Sequence, residues 1–381
     1  MKIAIFTDSY HPYTSGVVHS IVTFKEELEA LGHDLYIFAP AYPNHCKTEE
    51  KVFRFSSLPA PTNRDFTLAI PYARRFKKIF YSWQPDLIHV HSPFILGNLG
   101  AKYAHRLNIP LVFTFHTLYE EYVHYFPVAQ NIAKRVTRLI ARNFCNRCDL
   151  IIVPTVIIKK YLKEIGVRVP VKNIPTGIKI DEFSLADQAW LRKYYGISDE
   201  DKILLFVGRL GQEKNVKFLL EAFLKINRQF SHAKLILVGG GPEEKSLKSR
   251  ITQAGLQKNV ILTGKLPKKE VVKYYAGADL FVFTSVTETQ GLVIAEAKAA
   301  GLPVVAVKAY GVSEMVINGE DGFLTELNQN DFIEKTLLLL SDDSVREKFA
   351  RQAKVNAGVF SSRKCALTLA ESYQKLINHV F

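Results

Sequence analysis

Two glutamates, Glu288 and Glu296, lie eight positions apart on either side of Gly291. The apolar run Leu280–Phe283 precedes them, so the pattern predicts a strand, a tight loop and the start of a helix. Glycine at such a junction lets the backbone approach a ligand, and a helix N-terminus offers unpaired N–H groups to an anion. The pattern therefore predicts a phosphate site flanked by two carboxylates. In the alternative interpretation, Glu288 only complements the helix dipole and Glu296 is a solvated surface charge.

Two further glycine turns follow apolar runs in the second half of the chain. The first, at Gly208, is followed by Arg209 and Lys214. An arginine can bind two phosphate oxygens at once and a lysine adds a mobile point charge, but this spacing alone also fits ordinary loop charges. The second, which contains Gly240, predicts close backbone approach to a nucleotide. It lacks the GxGxxG order, so a hydride-transfer dinucleotide site is the weaker interpretation.

Two residues of the first half also follow predicted strands. Gly16 lies in the loop that leads from the first strand into a helix, and His116 ends the run LVFTFH. The glycine could bind a ligand through its backbone or serve only the turn. The histidine could be a structural group, a general base or a hydrogen-bond partner for a sugar. The residues alone leave these alternatives open.

Apolar β-branched runs alternate with helix-period segments in two successive series, which predicts an α/β protein with two Rossmann-like, doubly wound domains. A length of 381 residues suits two domains. We expect domains at residues 1–180 and 190–361, with a linker near 175–200. Ligands of such sheets bind at the carboxyl ends of the strands, so the expected site is the crevice between the domains.

The formal net charge of +13 is concentrated in the first half, where residues 1–180 hold 23 Lys and Arg against 13 Asp and Glu. This bias favours an anionic partner, either a membrane surface or nucleic acid. No apolar stretch of about 18 residues lacks a charge, and the N-terminus does not resemble a signal peptide, so a cytoplasmic protein is expected. The CxxC formed by Cys145 and Cys148 lacks partners for a zinc site and is predicted to be buried packing.

Two segments of the first half combine basic and apolar residues. One places Arg74, Arg75, Lys77 and Lys78 among aromatic side chains, and the other lies at residues 134–142. Both fit interfacial helices on anionic lipid. The alternative is a surface helix whose apolar face belongs to the core.

The motifs TETQGLVIAE, GRLGQEK and FHTLYEEYVHYF together resemble retaining glycosyltransferases with the GT-B fold, of the family 4 type, over nearly the whole chain. The last motif is similar to the bacterial 1,2-diacylglycerol 3-glucosyltransferases in particular. The fold that this resemblance implies has two Rossmann-like domains facing across a cleft, with the final helix, residues 362–381, packing back on the first domain. Many members have phenylalanine where this chain has Gln290, and PTGIKIDEF departs from the usual linker motif at Thr176 and Lys179.

The resemblance also implies roles for individual residues. Glu288 would face the donor sugar, Glu296 would bind the ribose hydroxyls, and His116 would contact the sugar. Catalytic roles would fall to His116, Glu288, Arg209 and Lys214. The donor-binding set would be Gly16, Gly208, Arg209, Lys214, Gly240, Leu266, Glu288, Gln290, Gly291, Leu292, Val293 and Glu296. The predicted membrane and acceptor set joins the basic residues of the pattern described above to two tyrosines of the FHTLYEEYVHYF motif, and consists of Arg74, Arg75, Lys77, Lys78, Tyr119 and Tyr122.

The implied reaction is transfer of a hexose, with glucose from UDP-glucose as the expected donor, to diacylglycerol or a glycosyl-diacylglycerol at the cytoplasmic membrane face. No cofactor or metal is expected, because the cationic pair and the helix N-terminus can stabilise the departing nucleotide. Nucleic acid is not an expected partner. The alternatives are a phosphatidylinositol mannosyltransferase using GDP-mannose, a soluble small-acceptor glycosyltransferase, a basic nucleic-acid-binding protein and a non-catalytic sugar-nucleotide sensor.

Overall fold

A computed structural model describes residues 1–43, 45, 49–60, 66–121, 130–184 and 187–378. The chain forms two compact units. The first consists of Met1–Gly177 and Ser362–Phe381, and the second of Ile178–Ser361.

The first unit is built on a parallel sheet. Its strands are β1 (Lys2–Phe6), β2 (Asp34–Pro40), β3 (Val52–Phe55), β4 (Ser57–Pro59), β5 (Thr67–Ala69), β6 (Leu87–Val90), β7 (Leu111–Thr114), β8 (Leu150–Val153) and β9 (Val171–Asn173). Its helices before residue 178 are α1 (Gly16–Ala30), α2 (Arg74–Trp83), α3 (Ile95–Leu107), α4 (Gln130–Cys145) and α5 (Val156–Glu164). Within the described residues the sheet runs in the order β3-β2-β1-β6-β7-β8-β9, and β4 pairs with β5 in a separate hairpin. Strands β6, β7 and β8 are buried throughout, as a parallel sheet covered on both faces requires.

The second unit repeats this design. Its helices are α6 (Ile180–Ser184), α7 (Trp190–Tyr195), α8 (Val216–Gln229), α9 (Glu244–Gln253), α10 (Lys268–Gly277), α11 (Leu292–Ala299), α12 (Val312–Met315), α13 (Gln329–Ser341) and α14 (Asp343–Ala357). Its strands are β10 (Lys202–Val207), β11 (Ala233–Val238), β12 (Val260–Gly264), β13 (Leu280–Phe283), β14 (Val304–Val307) and β15 (Gly322–Thr325). All pair in parallel, in the order β12-β11-β10-β13-β14-β15. The strand order reverses at β1 and β6 in the first unit and at β10 and β13 in the second, which is the doubly wound topology that the sequence predicts.

The last helix, α15 (Ser362–Ile377), belongs to the first unit, where it packs against α1. Leu369 and Tyr373 are buried there with residues of β1 and β2. At its start the Ser362 hydroxyl donates a 2.6 Å hydrogen bond to Glu27 of α1. The helix therefore completes the core of a unit whose other elements end before residue 178.

The second unit begins earlier than the predicted linker at residues 175–200 allows. Helices α6 and α7 lie in that interval, and their Phe183 and Leu191 are buried in the core of the second unit. Helix α7 also packs closely on α10, because a Cβ on Gly277 would lie only 2.4 Å from the Cβ of Leu191. Because the segment is polar in composition, its few apolar side chains did not indicate from the sequence that it belongs to the second unit.

The CxxC is buried packing, as predicted. Cys145 and Cys148 are free thiols, exposed by 0% and 4%, at the end of α4. Burial raises the pKa of the Cys145 thiol to about 12, so it is not a reactive thiolate at neutral pH.

Among the described residues, no helix is both long enough and apolar enough to span a bilayer.

Leu369 and Leu367 of α15 provide a matched pair for testing the role of this helix. The Leu369 side chain is 1% exposed, whereas that of Leu367 is 41% exposed. We expect Leu369→Ala to lower the free energy of unfolding by about 2–5 kcal/mol through lost burial and a residual cavity. Leu367→Ala is expected to change it by less than about 0.5 kcal/mol. Urea titrations of both variants measure the free energy of unfolding. A loss in Leu369→Ala as small as that in Leu367→Ala would show that α15 does not support the core.

Candidate active site

The switch point of the second sheet joins two predicted site loops. Residues 208–215 follow β10 and residues 284–291 follow β13, and these strands are neighbours. The Thr284 hydroxyl donates to the backbone oxygen of Lys214 at 3.0 Å, and the Ser285 hydroxyl to that of Glu213 at 3.3 Å. The two loops are thus fixed to each other at the edge of the sheet where doubly wound folds bind ligands.

Lys214 and Glu288 form an ion pair across these loops, between Nζ and Oε1. Both side chains are largely buried, at 15% and 19% exposure. The interpretation of Glu288 as a helix-dipole partner alone therefore does not describe its surroundings. The structure places a cation and a carboxylate, which the sequence predicts on separate segments, in direct contact.

Arg209 is exposed on the loop after β10, and the glycine run after β11 supports that loop. Gly239 has φ of 140°, and a Cβ on it would lie 1.9 Å from the carbonyl oxygen of Gly208. The amide of Leu210 donates to the half-buried Gly240 at 3.1 Å. Gly239 is therefore required for packing between two loops of the protein, a reason that the sequence alone does not show.

Gly291 precedes the first residue of α11 and has φ of 95°. This left-handed conformation strains any residue with a Cβ, so the backbone itself requires the glycine. Gln290 is buried, and Leu292 and Val293 are half-buried at the helix start. The N-terminus of α11 therefore lies beside the loop that carries Glu288, as the sequence predicts.

Glu296 is half-buried on α11 rather than a solvated surface charge. Its Oε2 accepts a 2.9 Å hydrogen bond from the hydroxyl of Tyr275, which is fully buried on α10. Burial raises the pKa of Glu296 to about 7, although the hydrogen bond from Tyr275 opposes this shift. Tyr275 was not predicted as a site residue, because one tyrosine in a helix gives no signal of its partner.

A buried ion pair holds the other end of α11. Nζ of Lys298 lies 2.6 Å from Oδ2 of Asp321, with side chains 3% and 0% exposed. The same ammonium donates to the Met315 carbonyl at 2.9 Å, and Asn356 donates to the carboxylate at 2.7 Å. Since a buried charge without its partner is costly, these contacts fix the position of α11 and of Glu296 on it. In the sequence, Lys298 resembles an ordinary surface lysine.

Leu266 lies in the loop after β12, half-buried against the core of the second unit. The predicted donor residues of this unit, apart from those on α11, thus follow the carboxyl ends of β10, β11, β12 and β13. The strand topology accounts for this common location.

In the first unit, Gly16 is the first residue of α1, and Ser15 caps the helix by accepting from the Val18 amide at 3.3 Å. Apart from its own chain neighbours and helix backbone, no atom of the described residues lies within 4 Å of where a Cβ on Gly16 would be. Its φ does not lie in the left-handed region. The local fold therefore does not require this glycine, which weakens the interpretation that it serves only the turn.

Asp8, which was not predicted, joins the two strands at the switch point of the first sheet. Its carboxylate accepts from the Ser92 hydroxyl after β6 and, at 2.9 Å, from the amide of Leu96 in the first turn of α3. Burial raises the pKa of this carboxyl group. Its hydrogen bonds indicate a structural role at the carboxyl ends of β1 and β6.

His116 is half-buried directly after β7, at the predicted strand end. Its Nε2 lies 2.8 Å from Nδ1 of His91, a residue that was not predicted. Burial lowers the pKa of His116 to about 3, so the ring is neutral at pH 7.

Tyr119 lies half-buried against Phe94 and Phe115. Tyr122 lies outside the described residues.

The two basic helices differ in what their apolar residues do. On α2, Arg74, Arg75, Lys77 and Lys78 are all exposed as predicted. However, Phe76 and Phe80 are 2% and 0% exposed and pack in the core with Phe6 and Phe38, so the interpretation of these rings as lipid-facing was wrong.

Helix α4 presents an exposed apolar stripe instead. The stripe consists of Ile132, Val136, Leu139 and Ile140, exposed by 64%, 48%, 47% and 44%. Arg135 is exposed on the same helix. Arg138 binds the buried Glu120, which ties α4 to the loop after β7. Helix α4 thus places a row of four aliphatic side chains in solvent, as an interfacial helix requires, whereas on α2 the exposed large apolar side chain is that of Tyr81.

Comparisons with known proteins agree on the class of this protein. A family model described as glycosyl transferases group 1 matches residues 187–356, and one described as Glycosyltransferase Family 4 matches residues 14–182. Alpha-monoglucosyldiacylglycerol synthase of Streptococcus pneumoniae is 36% identical over 312 residues, covering 80% of this chain and 71% of the relative. The enzyme of the same name from Acholeplasma laidlawii is 30% identical over 394 residues, covering 99% and 98%.

Solved structures share the fold. Sucrose-phosphate synthase from Thermosynechococcus elongatus superposes with a TM-score of 0.82 at 20% identity, covering 99% of each chain. HepE from Anabaena, solved with UDP, superposes with a TM-score of 0.81 at 23% identity, covering 98% of this chain and 100% of that one.

Two doubly wound units, with a cationic loop and a helix N-terminus at the switch point of the second, correspond to the GT-B fold. The chain belongs to glycosyltransferase family 4. The predicted family, fold and enzyme class, a hexosyltransferase, are thereby confirmed.

Glu296→Gln tests whether burial of the Glu296 carboxylate at the predicted ribose site lowers the free energy of unfolding. Because the folded-state pKa lies above its ordinary value of 4.5, the native protein holds this proton up to about pH 7 and the unfolded chain does not. The carboxylate therefore lowers stability above pH 7 and has no such effect below pH 4.5. We expect the glutamine variant to be more stable by about 1–2 kcal/mol at pH 8, with the difference vanishing toward pH 4.5. Urea titrations across this range measure it, and a difference independent of pH would contradict the assignment.

Proposed function

We propose that this enzyme transfers glucose from UDP-glucose, with retention at the anomeric carbon, to the free hydroxyl of diacylglycerol or a glycosyl-diacylglycerol. The observation that carries the donor assignment is the contact between Lys214 and Glu288 at the switch point, beside the N-terminus of α11. The acceptor assignment is supported by the two relatives at 36% and 30% identity, both named alpha-monoglucosyldiacylglycerol synthase.

The donor would be recognised in parts. Arg209, Lys214 and the amides at the start of α11 present positive charge to the diphosphate. Glu296, held by Tyr275, would accept hydrogen bonds from the ribose hydroxyls. Glu288, paired with Lys214, would face the sugar, and His116 and Gly16 would contribute hydrogen bonds from the first unit. UDP is the nucleotide in solved structures of HepE, which share this fold.

In the reaction, the bond between the anomeric carbon and the β-phosphate oxygen breaks, and a bond to the acceptor oxygen forms on the same face. Negative charge accumulates on the departing nucleotide, where a preorganised donor contributes on the order of 3 kcal/mol. The leaving phosphate takes the acceptor proton, so the scheme requires no protein base. Since the cations of this chain address the leaving group, we also propose that transfer needs no divalent metal.

The direct test is mass spectrometry of the lipid products. The enzyme is incubated with diacylglycerol in mixed vesicles and, in separate reactions, UDP-glucose, GDP-mannose or UDP-N-acetylglucosamine. We expect hexosyl-diacylglycerol from UDP-glucose, with an α linkage and undiminished yield in chelator. Product from GDP-mannose alone would favour the mannosyltransferase, a name that relatives at 26–28% identity carry. Loss of turnover in chelator and recovery with a divalent ion would contradict metal independence.

Lys214→Ala and Glu288→Gln separate the diphosphate and sugar roles. We expect Lys214→Ala to weaken UDP binding by about tenfold or more, because a charge-assisted contact is lost. Glu288→Gln should bind UDP at least as tightly, since Lys214 loses its competing partner, yet lose about a hundredfold or more in kcat. Lys217→Ala, an exposed lysine on α8, is the matched control and should leave both unchanged.

Calorimetric titration with UDP and initial rates with UDP-glucose measure these effects. Unchanged UDP affinity in Lys214→Ala would refute the diphosphate role. Weaker UDP binding in Glu288→Gln would show that Glu288 serves the nucleotide rather than the sugar.

We further propose that the first unit binds the anionic cytoplasmic face of the membrane through the α4 stripe and the basic residues of α2. The four apolar side chains of the stripe are exposed, and the four basic side chains of α2 are exposed as well. Apolar insertion and attraction to anionic headgroups reinforce each other at an interface. An enzyme whose acceptor is a membrane lipid must bind the membrane surface to reach that acceptor.

Vesicle sedimentation tests the membrane proposal. The double variant Ile132→Ser and Leu139→Ser should lower binding to anionic vesicles by about tenfold or more, through lost apolar insertion. The control replaces Val355 and Val359 by Ser, since these are 70% and 65% exposed in the second unit. The control should bind like the parent. Absence of binding by the parent at low salt would contradict the lipid acceptor.

A further inference from the structure

His91 lies directly after β6, between two other imidazole rings. Its Nδ1 is 2.8 Å from Nε2 of His116, and the two rings are stacked with 19° between their planes. On its other side the ring of His89 lies 4.2 Å away, centroid to centroid. His91 is 2% exposed, and its Nε2 is buried without a hydrogen-bond partner among the described residues.

The unpaired nitrogen indicates which ring donates. If His116 donated through Nε2, His91 would carry its own proton on Nε2, where a buried N–H would lack an acceptor. If His91 donates through Nδ1, its Nε2 carries no proton, and only the lone pair of Nε2 is left without a hydrogen bond. A buried donor without an acceptor is the rarer and costlier arrangement. Burial lowers the pKa of both rings, so each is neutral at pH 7 and carries one proton.

We propose that His91 is a positioning residue that donates from Nδ1 to Nε2 of His116 and thereby fixes His116 as a hydrogen-bond donor through its own Nδ1. This inference rests on the proposed function, in which His116 contacts the donor sugar. A ring in this state can donate to a sugar oxygen, but its only lone pair is already engaged. His116 therefore does not act as a general base, and the acceptor proton goes to the departing phosphate.

The surroundings hold His91 in this orientation. Both nitrogens of His89 are engaged, Nδ1 with the Tyr373 hydroxyl at 2.6 Å and Nε2 with the Thr114 hydroxyl at 2.7 Å. His89 thus offers no competing acceptor to its neighbour. The backbone amide of His91 donates to the carbonyl of Phe6 at 3.0 Å, which fixes the start of the loop. Tyr373 belongs to α15, so the last helix of the chain supports this row of rings.

The tautomer is measured directly by two-bond ¹H–¹⁵N correlation spectra of the histidine rings, in which a protonated ring nitrogen differs in shift from a bare one. The His116 signals are identified by their loss in His116→Asn. In the parent protein we expect a protonated Nδ1 and a bare Nε2 on His116. In His91→Leu we expect a mixture of tautomers and a fall in kcat of about tenfold, the effect of one hydrogen bond.

Two conservative variants distinguish positioning from packing. The amide nitrogen of asparagine takes nearly the place of Nδ1, so His91→Asn should keep the His116 tautomer and restore kcat to within about threefold of the parent. Glutamine places its amide nearer to Nε2, so His91→Gln should not. This comparison applies to folded proteins, which thermal unfolding verifies, and it holds even if His91→Leu does not fold.

A proton on Nε2 of His116 in the parent protein would overturn the proposal, and so would equal activity of His91→Asn and His91→Gln. The spectra need no substrate, so they decide the tautomer whichever sugar is transferred. Absence of any glucosyl transfer by a parent protein with the expected spectrum would count against the proposed function alone.

Discussion

The ion pair between Lys214 and Glu288 depends on one constraint, the adjacency of β10 and β13 at the point where the strand order reverses. Connections on the two sides of such a point leave the sheet in opposite directions, so the loops after these strands meet with no helix between them. The hydrogen bonds from Thr284 and Ser285 to the neighbouring loop then set the spacing. The cation, the carboxylate and the start of α11 are close together because of this topology.

The carboxylate of Glu296, a proposed donor ligand, lowers the stability of the folded protein above pH 7. The carboxylate of Glu296 is held in a half-buried place that favours its protonated form near neutral pH. The buried pair of Lys298 and Asp321 holds the helix that carries it. A buried ion pair is weak evidence for stability but strong evidence for a fixed geometry. In this enzyme that geometry fixes the orientation of α11, on whose start the proposed donor contacts depend.

The first unit separates two kinds of amphipathic helix that have similar composition. In α2 the rings of Phe76 and Phe80 fill a cluster with Phe6 and Phe38, while the four basic side chains reach solvent. In α4 the apolar stripe itself is exposed, and Arg138 binds Glu120 to hold the helix to the loop that follows His116. Composition and periodicity are the same for a face that packs inward and one that remains outside, because both require one apolar stripe.

The sequence by itself determined the two doubly wound α/β units and the location of Arg209, Lys214, His116 and Glu288 at strand ends. These follow from local rules, since apolar runs, glycine turns and helix periods depend on residues a few positions apart. Only the tertiary structure decided which groups touch: Tyr275 with Glu296, Lys298 with Asp321, and His91 with His116. It also decided that the segment after residue 177 belongs to the second core, and that Gly239 serves loop packing. Such contacts join residues distant in the chain, and the free energy that selects them comes from burial and pairing in three dimensions, which no local pattern encodes.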